Sequence, residues 1–291
     1  MRLVVRALIN HVAPTPVTWL GGVALKREDL QESGSFKWRG VQAEILRSRT
    51  KPAGMVCVST GNTGKAAALA GKQRGIETHM FCAGNPASPK RELLEQLDVI
   101  LHGGFPSFSH ASESAAGFAA RNDHLFVSPG ASWSFAYGAS AIVQEILADA
   151  PDTSAILTPI GGGGLASGLG LGLRARGPGA PRLLGVQAAN SPYVYNLFHD
   201  VPGPVQTAPT VADCIAGDLE EGAIIRDVAR DLLADVLLVS DAEIVRAVQE
   251  LENAGVTVEP GAASAYAAIR APRYRQLLAK HKVCVVISGG R

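Results

Sequence analysis

From about residue 55, short runs of β-prone apolar residues alternate with longer segments whose apolar positions have a helical spacing. The first series runs "MVCV", "NTGKAAALAGKQRG", "ETHMFC", "PKRELLEQL" and "DVILHG". A second series begins with "SAILTPI" and "LASGLGLGLRARG" and ends with "KVCVVIS". This alternation is typical of βαβ units, in which helices cover both faces of a parallel sheet. The pattern therefore predicts an α/β protein with two parallel-sheet units.

The order of the segments predicts how the two units share the chain. We place a small domain at residues 51–137 and a large domain at residues 1–50 and 138–291. Turn and cap residues support the segment assignments: Asp241 follows the strand-like run "VLLVS" as a predicted N-cap, and Gly255 is predicted to end the same helix.

Composition narrows the class of protein. The chain has 291 residues, 47% of them hydrophobic, and a net charge of +1, so it can bury a large core. Its 27 basic and 26 acidic residues are scattered, and no basic stripe predicts nucleic-acid binding. The long uncharged stretch "TSAILTPIGGGGLASGLGLGL" is too rich in glycine for a membrane span, and Arg6 interrupts the apolar start. We expect a cytoplasmic protein that does not bind membranes.

Four cysteines are distributed widely along the chain. Cys57, Cys82, Cys214 and Cys284 form no pair at the spacing that zinc or redox chemistry favours. We expect all four to be buried apolar residues.

The first glycine-bearing loop, "VSTGNTGKAAALA", connects a strand to a helix. Backbone N–H groups at such a helix start attract anions, so a carboxylate or a phosphate could bind there. A P-loop is the alternative, but it requires glycine where Ser59 stands and a hydroxyl residue where Ala66 stands. A simple capped turn would explain Ser59 and Gly61 but not Asn62.

The second loop, "TPIGGGGLASG", carries four successive glycines, Gly161 to Gly164. Without Cβ atoms their amides are open to a phosphate, which is the interpretation we favour. A dinucleotide fingerprint is the first alternative, yet the next strand leads to Gln187 and Asn190 instead of an acid for the ribose. Close packing of helix against strand is the second alternative, and it accounts for only one or two of the glycines.

Two further features, at Ser288 and Lys37, indicate no function when each is taken alone. The run "VVISGGR" places Ser288 at the carboxyl end of a strand, the edge where ligands bind in open α/β sheets, although "SGG" alone is a common turn. The stretch "GSFKWRG" places Lys37 among small residues and rings. An isolated lysine is ordinarily a solvated surface charge.

Together these segments resemble the fold type II pyridoxal-phosphate (PLP) enzymes, the tryptophan synthase β family. This family includes serine and threonine dehydratases, serine racemases, threonine synthases and cysteine synthases. The similarity extends over nearly the whole chain, in family order: "TPV", "LKRED", "GSFKWRG", "STGNTG", "PIGGGGLASG", "GVQAANSP", "TVADCIAGDLE", "VLLVSDAEI", "VEPGAASAYAA" and "ISGGR". It implies two α/β domains with the PLP site in the cleft between them, and a homodimer.

The resemblance also implies roles for individual residues. Lys37 would form the internal aldimine with PLP and remove the substrate α-proton, and Thr60 would offer a hydroxyl on the opposite face. The implied cofactor-binding residues are Phe36, Lys37, Asn62, Gly161, Gly162, Gly163, Gly164, Leu165, Glu259 and Ser288. The implied substrate-carboxylate residues, on the small domain, are Ser59, Thr60, Gly61 and Thr63. For Glu259 a simple helix cap is an equal alternative.

The motifs are mixed with respect to the reaction. "STGNT" is closest to threonine and cysteine synthases, whereas the later segments resemble dehydratases. A serine at the ring nitrogen, Ser288, suits β-elimination better than transamination. We expect a lyase that converts a small β-hydroxy amino acid, such as serine or threonine, through an aminoacrylate. The alternatives are β-replacement, as in cysteine or diaminopropionate synthesis, threonine synthase-like chemistry, and a PLP-binding regulator without activity.

Three departures from the family pattern carry expectations of their own. Gln187 and Tyr193 stand where related enzymes carry metal-binding acids, so we expect no metal ion there. Thr60 in place of the usual serine disfavours racemisation. Cys214 replaces a glycine, and we expect it to pack in the core.

Overall fold

The structure is a computed structural model, and it describes residues 11–48, 50–59, 61–85, 92 and 94–290. Strands and helices alternate along most of this range. The strands are β1 (Val17–Leu20), β2 (Val23–Arg27), β3 (Gly54–Val58), β4 (Glu77–Ala83), β5 (Val99–Phe105), β6 (Leu125–Val127), β7 (Ala155–Pro159), β8 (Arg182–Ala188), β9 (Asp235–Val239) and β10 (Val283–Ile287).

The helices that cover these strands have the following bounds. They are α1 (Lys37–Arg47), α2 (Asn62–Arg74), α3 (Phe108–Asn122), α4 (Trp133–Asp149), α5 (Gly164–Arg176), α6 (Tyr193–Phe198), α7 (Ile225–Leu232), α8 (Asp241–Asn253), α9 (Pro260–Arg270) and α10 (Arg275–Leu278). Among the residues that the structure describes, no helix is both long and apolar enough to cross a membrane.

The strands form two separate sheets. One has six strands in the order β1-β2-β10-β7-β8-β9, and only the β1–β2 pair is antiparallel. The other has four parallel strands in the order β5-β4-β3-β6. Both sheets need helices on their faces because parallel strands such as β7 are apolar and buried throughout. The predicted α/β class with two parallel-rich sheets is confirmed.

The strands of the four-stranded sheet all come from residues 54–127, and those of the six-stranded sheet come from either side of that range. The domain boundaries at residues 50/51 and 137/138 stay predictions. Parallel strands within a sheet end at the same edge, where the glycine-bearing loops after β3, β7 and β10 follow.

The predicted start of α8 is wrong by one residue. Ser240 is the N-cap, and it forms a capping box in which its hydroxyl accepts from the Glu243 backbone while the Glu243 carboxylate accepts from the Ser240 backbone. The Asp241 carboxylate instead accepts from Thr210 and from the backbone N–H of Val211. The helix ends just before Gly255, which has a φ of +78°.

Candidate active site

A cavity of about 270 Å³ lies where strand ends of the two sheets approach each other. Its walls come from the loops that follow β3, β6, β7 and β10. The predicted site residues that line it are Phe36, Lys37, Ser59, Gly61, Asn62, Thr63, Gly161, Gly162, Gly163, Gly164, Leu165, Glu259 and Ser288. Thr60 lies outside the described residues. Every other predicted site residue therefore borders one cavity.

Lys37 is the first residue of α1 and directs its amine along two aromatic rings. Nζ lies 4.8 Å from the centroid of the Phe36 ring and 5.7 Å from that of Phe135. Burial lowers the pKa of Lys37, and the nearby Glu220, Cys214 and Glu259 offset part of that effect. A lysine with a lowered pKa loses its proton more readily, as a nucleophile or a base must. Lys37 is not an ordinary solvated surface lysine.

The C-terminal loop holds the segment before Lys37. The Phe36 N–H donates to the Ser288 carbonyl at 3.0 Å, and the Gly290 N–H donates to the Gly34 carbonyl at 3.0 Å. A β-bridge between Ser35 and Gly289 lies between these two bonds. This pairing explains how Ser288, 251 residues further along the chain than Lys37, borders the same cavity.

A buried group of charges fixes the first turn of α1. Arg39 donates to the Glu28 carboxylate at 2.7 and 2.8 Å and to the Glu145 carboxylate at 2.6 and 2.7 Å. Lys26 completes the group by donating to Glu145. Because the guanidinium meets both acids with paired hydrogen bonds, it sets the position of the turn that carries Lys37.

Asn62 and Glu259 bring the two sheets together at the cavity. The Asn62 Nδ2 donates to both carboxylate oxygens of Glu259, at 2.8 and 2.9 Å. Glu259 occupies the N-cap position of α9, yet its side chain makes no capping hydrogen bond. Burial raises the pKa of Glu259 above its ordinary value. Of the two interpretations, the structure supports the side chain at the cavity over the helix cap.

The loop after β3 presents the start of α2 to the cavity. Gly61 is the N-cap of α2, and its N–H donates to the Ser59 hydroxyl at 3.1 Å. Thr63 follows in the first turn and is buried. The first N–H groups of a helix have no partner within the helix and attract an anion. This geometry suits a substrate carboxylate.

The loop after β7 leads into the start of α5 and has the open backbone that an anion cradle needs. Gly163 has a φ of +87°, and a Cβ there would lie 2.4 Å from Ile225. A Cβ on Gly164 would lie 1.8 Å from the Pro129 carbonyl oxygen. At Gly162 the nearest atom, Gly130 Cα, is 3.9 Å away. The backbone there is close-packed on one side and open on the other, as a phosphate cradle requires.

We expect Gly163→Ala to weaken phosphate binding and Gly162→Ala to be tolerated much better. An alanine at position 163 would have to adopt the left-handed conformation of Gly163, at a cost on the order of 1–2 kcal/mol, and its Cβ would also clash with Ile225. Cofactor affinity by absorbance titration and the midpoint of thermal unfolding measure both effects. Equal losses in the two variants would contradict the cradle geometry.

Gln187 has a structural task that leaves no room for a ribose-binding role. Its Oε1 accepts from the N–H groups of Val194 and Tyr195 at 2.8 and 2.9 Å. Its Nε2 donates to the Ile160 carbonyl at 3.3 Å. Gln187 therefore ties the start of α6 to the loop after β7, which further weakens the dinucleotide alternative.

The cysteine prediction is confirmed at three positions and wrong at the fourth. Cys57, Cys82 and Cys284 are buried, but Cys214 is exposed and lines the cavity. Although the residue as a whole is exposed, its sulfur packs against Gly261. This local desolvation, together with the neighbouring Glu259 and Asp213, raises the pKa of the Cys214 thiol. Cys214 belongs to the site as a protonated thiol and not to the core, because its loop runs along the cavity mouth.

Glu220 is a cavity-lining acid that sequence patterns missed. It lines the cavity, accepts from the Ser128 hydroxyl at 2.8 Å and also accepts from the Gly130 N–H. The only signal was its position in "CIAGDLE", shortly after Cys214. That signal was insufficient because the segment has no regular secondary structure from which a direction could be inferred.

A lysine with a lowered pKa thus shares one cavity with two glycine-bearing helix starts. This combination is typical of one class of α/β enzymes. In that class a reactive lysine lies next to the binding places for a phosphorylated group and for a substrate carboxylate. The family model of the pyridoxal-phosphate dependent enzymes matches residues 8–289. The chain belongs to this family, and the resemblance to fold type II PLP enzymes is confirmed.

Relatives in the family have different reactions in their names. An L-threonine ammonia-lyase of Thermotoga maritima is 32% identical over 93% of this chain and 67% of its own length. A serine racemase of rice (Oryza sativa subsp. indica) is 31% identical over 91% of this chain and 79% of its own. The structure of maize serine racemase superposes with a TM-score of 0.90 at 26% identity, covering 99% of this chain and 92% of that one.

Proposed function

We propose that the protein catalyses α,β-elimination on a small β-hydroxy amino acid such as serine or threonine, releasing a 2-oxo acid and ammonia. The observation that carries the proposal is the position of Lys37, whose amine lies in the same cavity as both anion-binding loops. The threonine ammonia-lyase among the relatives agrees with this choice, and the serine racemase marks the nearest competing reaction.

The residues present fit pyridoxal phosphate. Gly161 to Gly164 offer amides without side chains for the phosphate, at the positive end of α5. Lys37 offers an amine for the aldehyde, and Ser288 offers a hydroxyl as a partner for the ring nitrogen. When bound, the cofactor acts as an electron sink that acidifies the Cα–H bond of an amino acid.

The chain's own residues then have separate tasks. The start of α2, with Ser59 and Thr63, receives the substrate carboxylate and orients Cα toward the lysine. Lys37, whose pKa is lowered by burial, takes the α-proton on Nζ. Asn62 is held in place by Glu259 and presents its amide at the cavity wall.

Product analysis tests the proposal. We expect the purified protein, loaded with PLP, to form a 2-oxo acid and ammonia from L-serine or L-threonine with no added nucleophile. A coupled assay for the oxo acid and chiral analysis of the remaining amino acid measure the outcome. O-acetyl-L-serine with and without an amine or thiol serves as the comparison.

Three results would contradict elimination. Turnover that depends strictly on an added amine or thiol would identify β-replacement. Formation of the D-amino acid without oxo acid would identify a racemase. A cofactor absorbance that changes with substrate but leads to no product would identify a PLP-binding regulator.

A further inference from the structure

The described wall of the cavity is rich in carboxylates. Asp218, Glu220 and Glu259 line it, whereas Lys37 is the single basic side chain among the described lining residues. The two anion-binding places use backbone N–H groups at helix starts, so they need no basic side chain. A negatively charged substrate side chain would therefore have no basic side chain other than Lys37 to pair with among the described lining residues.

The three acids are not equally available to a ligand. Both oxygens of Glu259 accept from Asn62. The Asp218 side chain is 68% exposed, pairs with Arg226 and accepts a hydrogen bond from the Leu219 N–H. Glu220 remains as the acid of the inner wall.

Glu220 is held in a defined position. One carboxylate oxygen accepts from the Ser128 hydroxyl and the other from the Gly130 N–H, both in the loop after β6. The Ile224 N–H donates to the Gly130 carbonyl at 2.9 Å, which fixes the same loop from the other side. A carboxylate has about four acceptor positions, so two remain for a ligand.

Glu220 and Lys37 line the same cavity. The Glu220 carboxylate offsets part of the lowering of the Lys37 pKa that burial causes. The described lining also includes the apolar side chains of Phe126 and Pro129 and the hydroxyls of Ser112 and Ser128. A substrate with its carboxylate at the start of α2 and its Cα at Lys37 has its β-substituent left to meet this wall.

We propose that Glu220 determines substrate specificity by accepting a hydrogen bond from the β-hydroxyl of the substrate and by repelling substrates with an acidic side chain. This inference rests on the proposed function, because it assumes an amino acid bound next to Lys37. The substrate class is therefore amino acids whose β-substituent donates a hydrogen bond. Aspartate and 3-hydroxyaspartate are excluded.

The test compares Glu220→Gln with Glu221→Gln in the PLP-loaded protein. Both variants remove one negative charge, but Glu221 does not line the cavity. The readouts are the dissociation constants for L-serine and L-aspartate, taken from the change in cofactor absorbance, and the split between KM and kcat. We expect Glu220→Gln to raise the serine dissociation constant roughly tenfold, because the remaining amide oxygen is a weaker acceptor than a charged carboxylate. It should also reduce the preference for serine over aspartate, whereas Glu221→Gln should leave both unchanged.

The outcomes separate this inference from the proposed function. An unchanged serine-to-aspartate ratio in Glu220→Gln, in a protein that dehydrates serine, overturns the inference alone. A ratio that falls as expected, in a protein that forms no oxo acid, supports the inference and overturns the elimination. A wild-type spectrum that no amino acid changes contradicts both. Should Glu220→Gln fail to fold, the wild-type dissociation constants for L-serine and L-aspartate replace the comparison, and equal affinity for the two would overturn the inference.

Discussion

Lys37→Ala is expected to lower the turnover of serine or threonine by a factor on the order of 10⁴ and to abolish the visible absorbance of the lysine-linked cofactor. The variant removes the amine that lies in the cavity with a lowered pKa, and the other described lining residues include no basic side chain that could replace it. Single-turnover oxo-acid assays and absorbance spectra measure the two effects. Lys37→Arg should be equally inactive, because a guanidinium does not give up its proton.

Lys65→Ala is the matched control. Lys65 lies in the first turns of α2, in the "TGK" sequence that resembled a P-loop, but it does not line the cavity. We expect this variant to keep its absorbance and most of its activity. Loss of phosphate binding in Lys65→Ala, with Lys37→Ala unaffected, would reverse the assignment of the two lysines.

Arg39→Ala is expected to lower the free energy of unfolding by about 3–5 kcal/mol. Arg39 is 2% exposed and pairs with Glu28, which is fully buried, so its removal leaves an uncompensated carboxylate inside the protein. The same contacts hold the first turn of α1, which carries Lys37. The variant should therefore lose activity at denaturant concentrations below those that unfold it. Denaturant unfolding of the PLP-loaded protein measures the stability loss.

The control for this prediction is Arg270→Ala. The Arg270–Glu250 pair has a similar N–O distance of 2.8 Å, but its side chains are 58% and 40% exposed. Surface pairs of this kind contribute under about 1 kcal/mol. If the two arginine variants lost the same free energy of unfolding, burial of the Arg39 pair would not explain the stability loss in Arg39→Ala.

The elements and motifs that were predicted well are those whose information is local. The loops around Gly61 and Gly163 each join a buried strand to a helix within a few residues, so their place in the fold follows from neighbouring positions. The N-cap of α8 was misplaced because Ser240 and Asp241 are both good caps, and only the backbone geometry chooses Ser240. The local pattern thus located the helix but not its first residue.

The side-chain positions of Cys214 and Glu220 could not be predicted from neighbouring residues. Both belong to a segment with little regular structure, and a cysteine in such a segment can equally fill the core or line a cavity. The direction of Glu220 depends on Ser128, 92 residues earlier in the chain. No periodicity in the sequence encodes that contact.

The sequence by itself determined the α/β alternation, the two glycine-bearing loops at helix starts and the lysine that follows "GSF", because strand, turn and helix starts are encoded by adjacent residues. Only the tertiary structure decided which of these features meet. Asn62 donates to Glu259 across 197 residues of chain, and the Phe36 N–H donates to the Ser288 carbonyl across 252 residues of chain. Such contacts depend on how parallel strands are ordered and where their ends meet, which is set by packing of the whole chain and not by any short stretch of it.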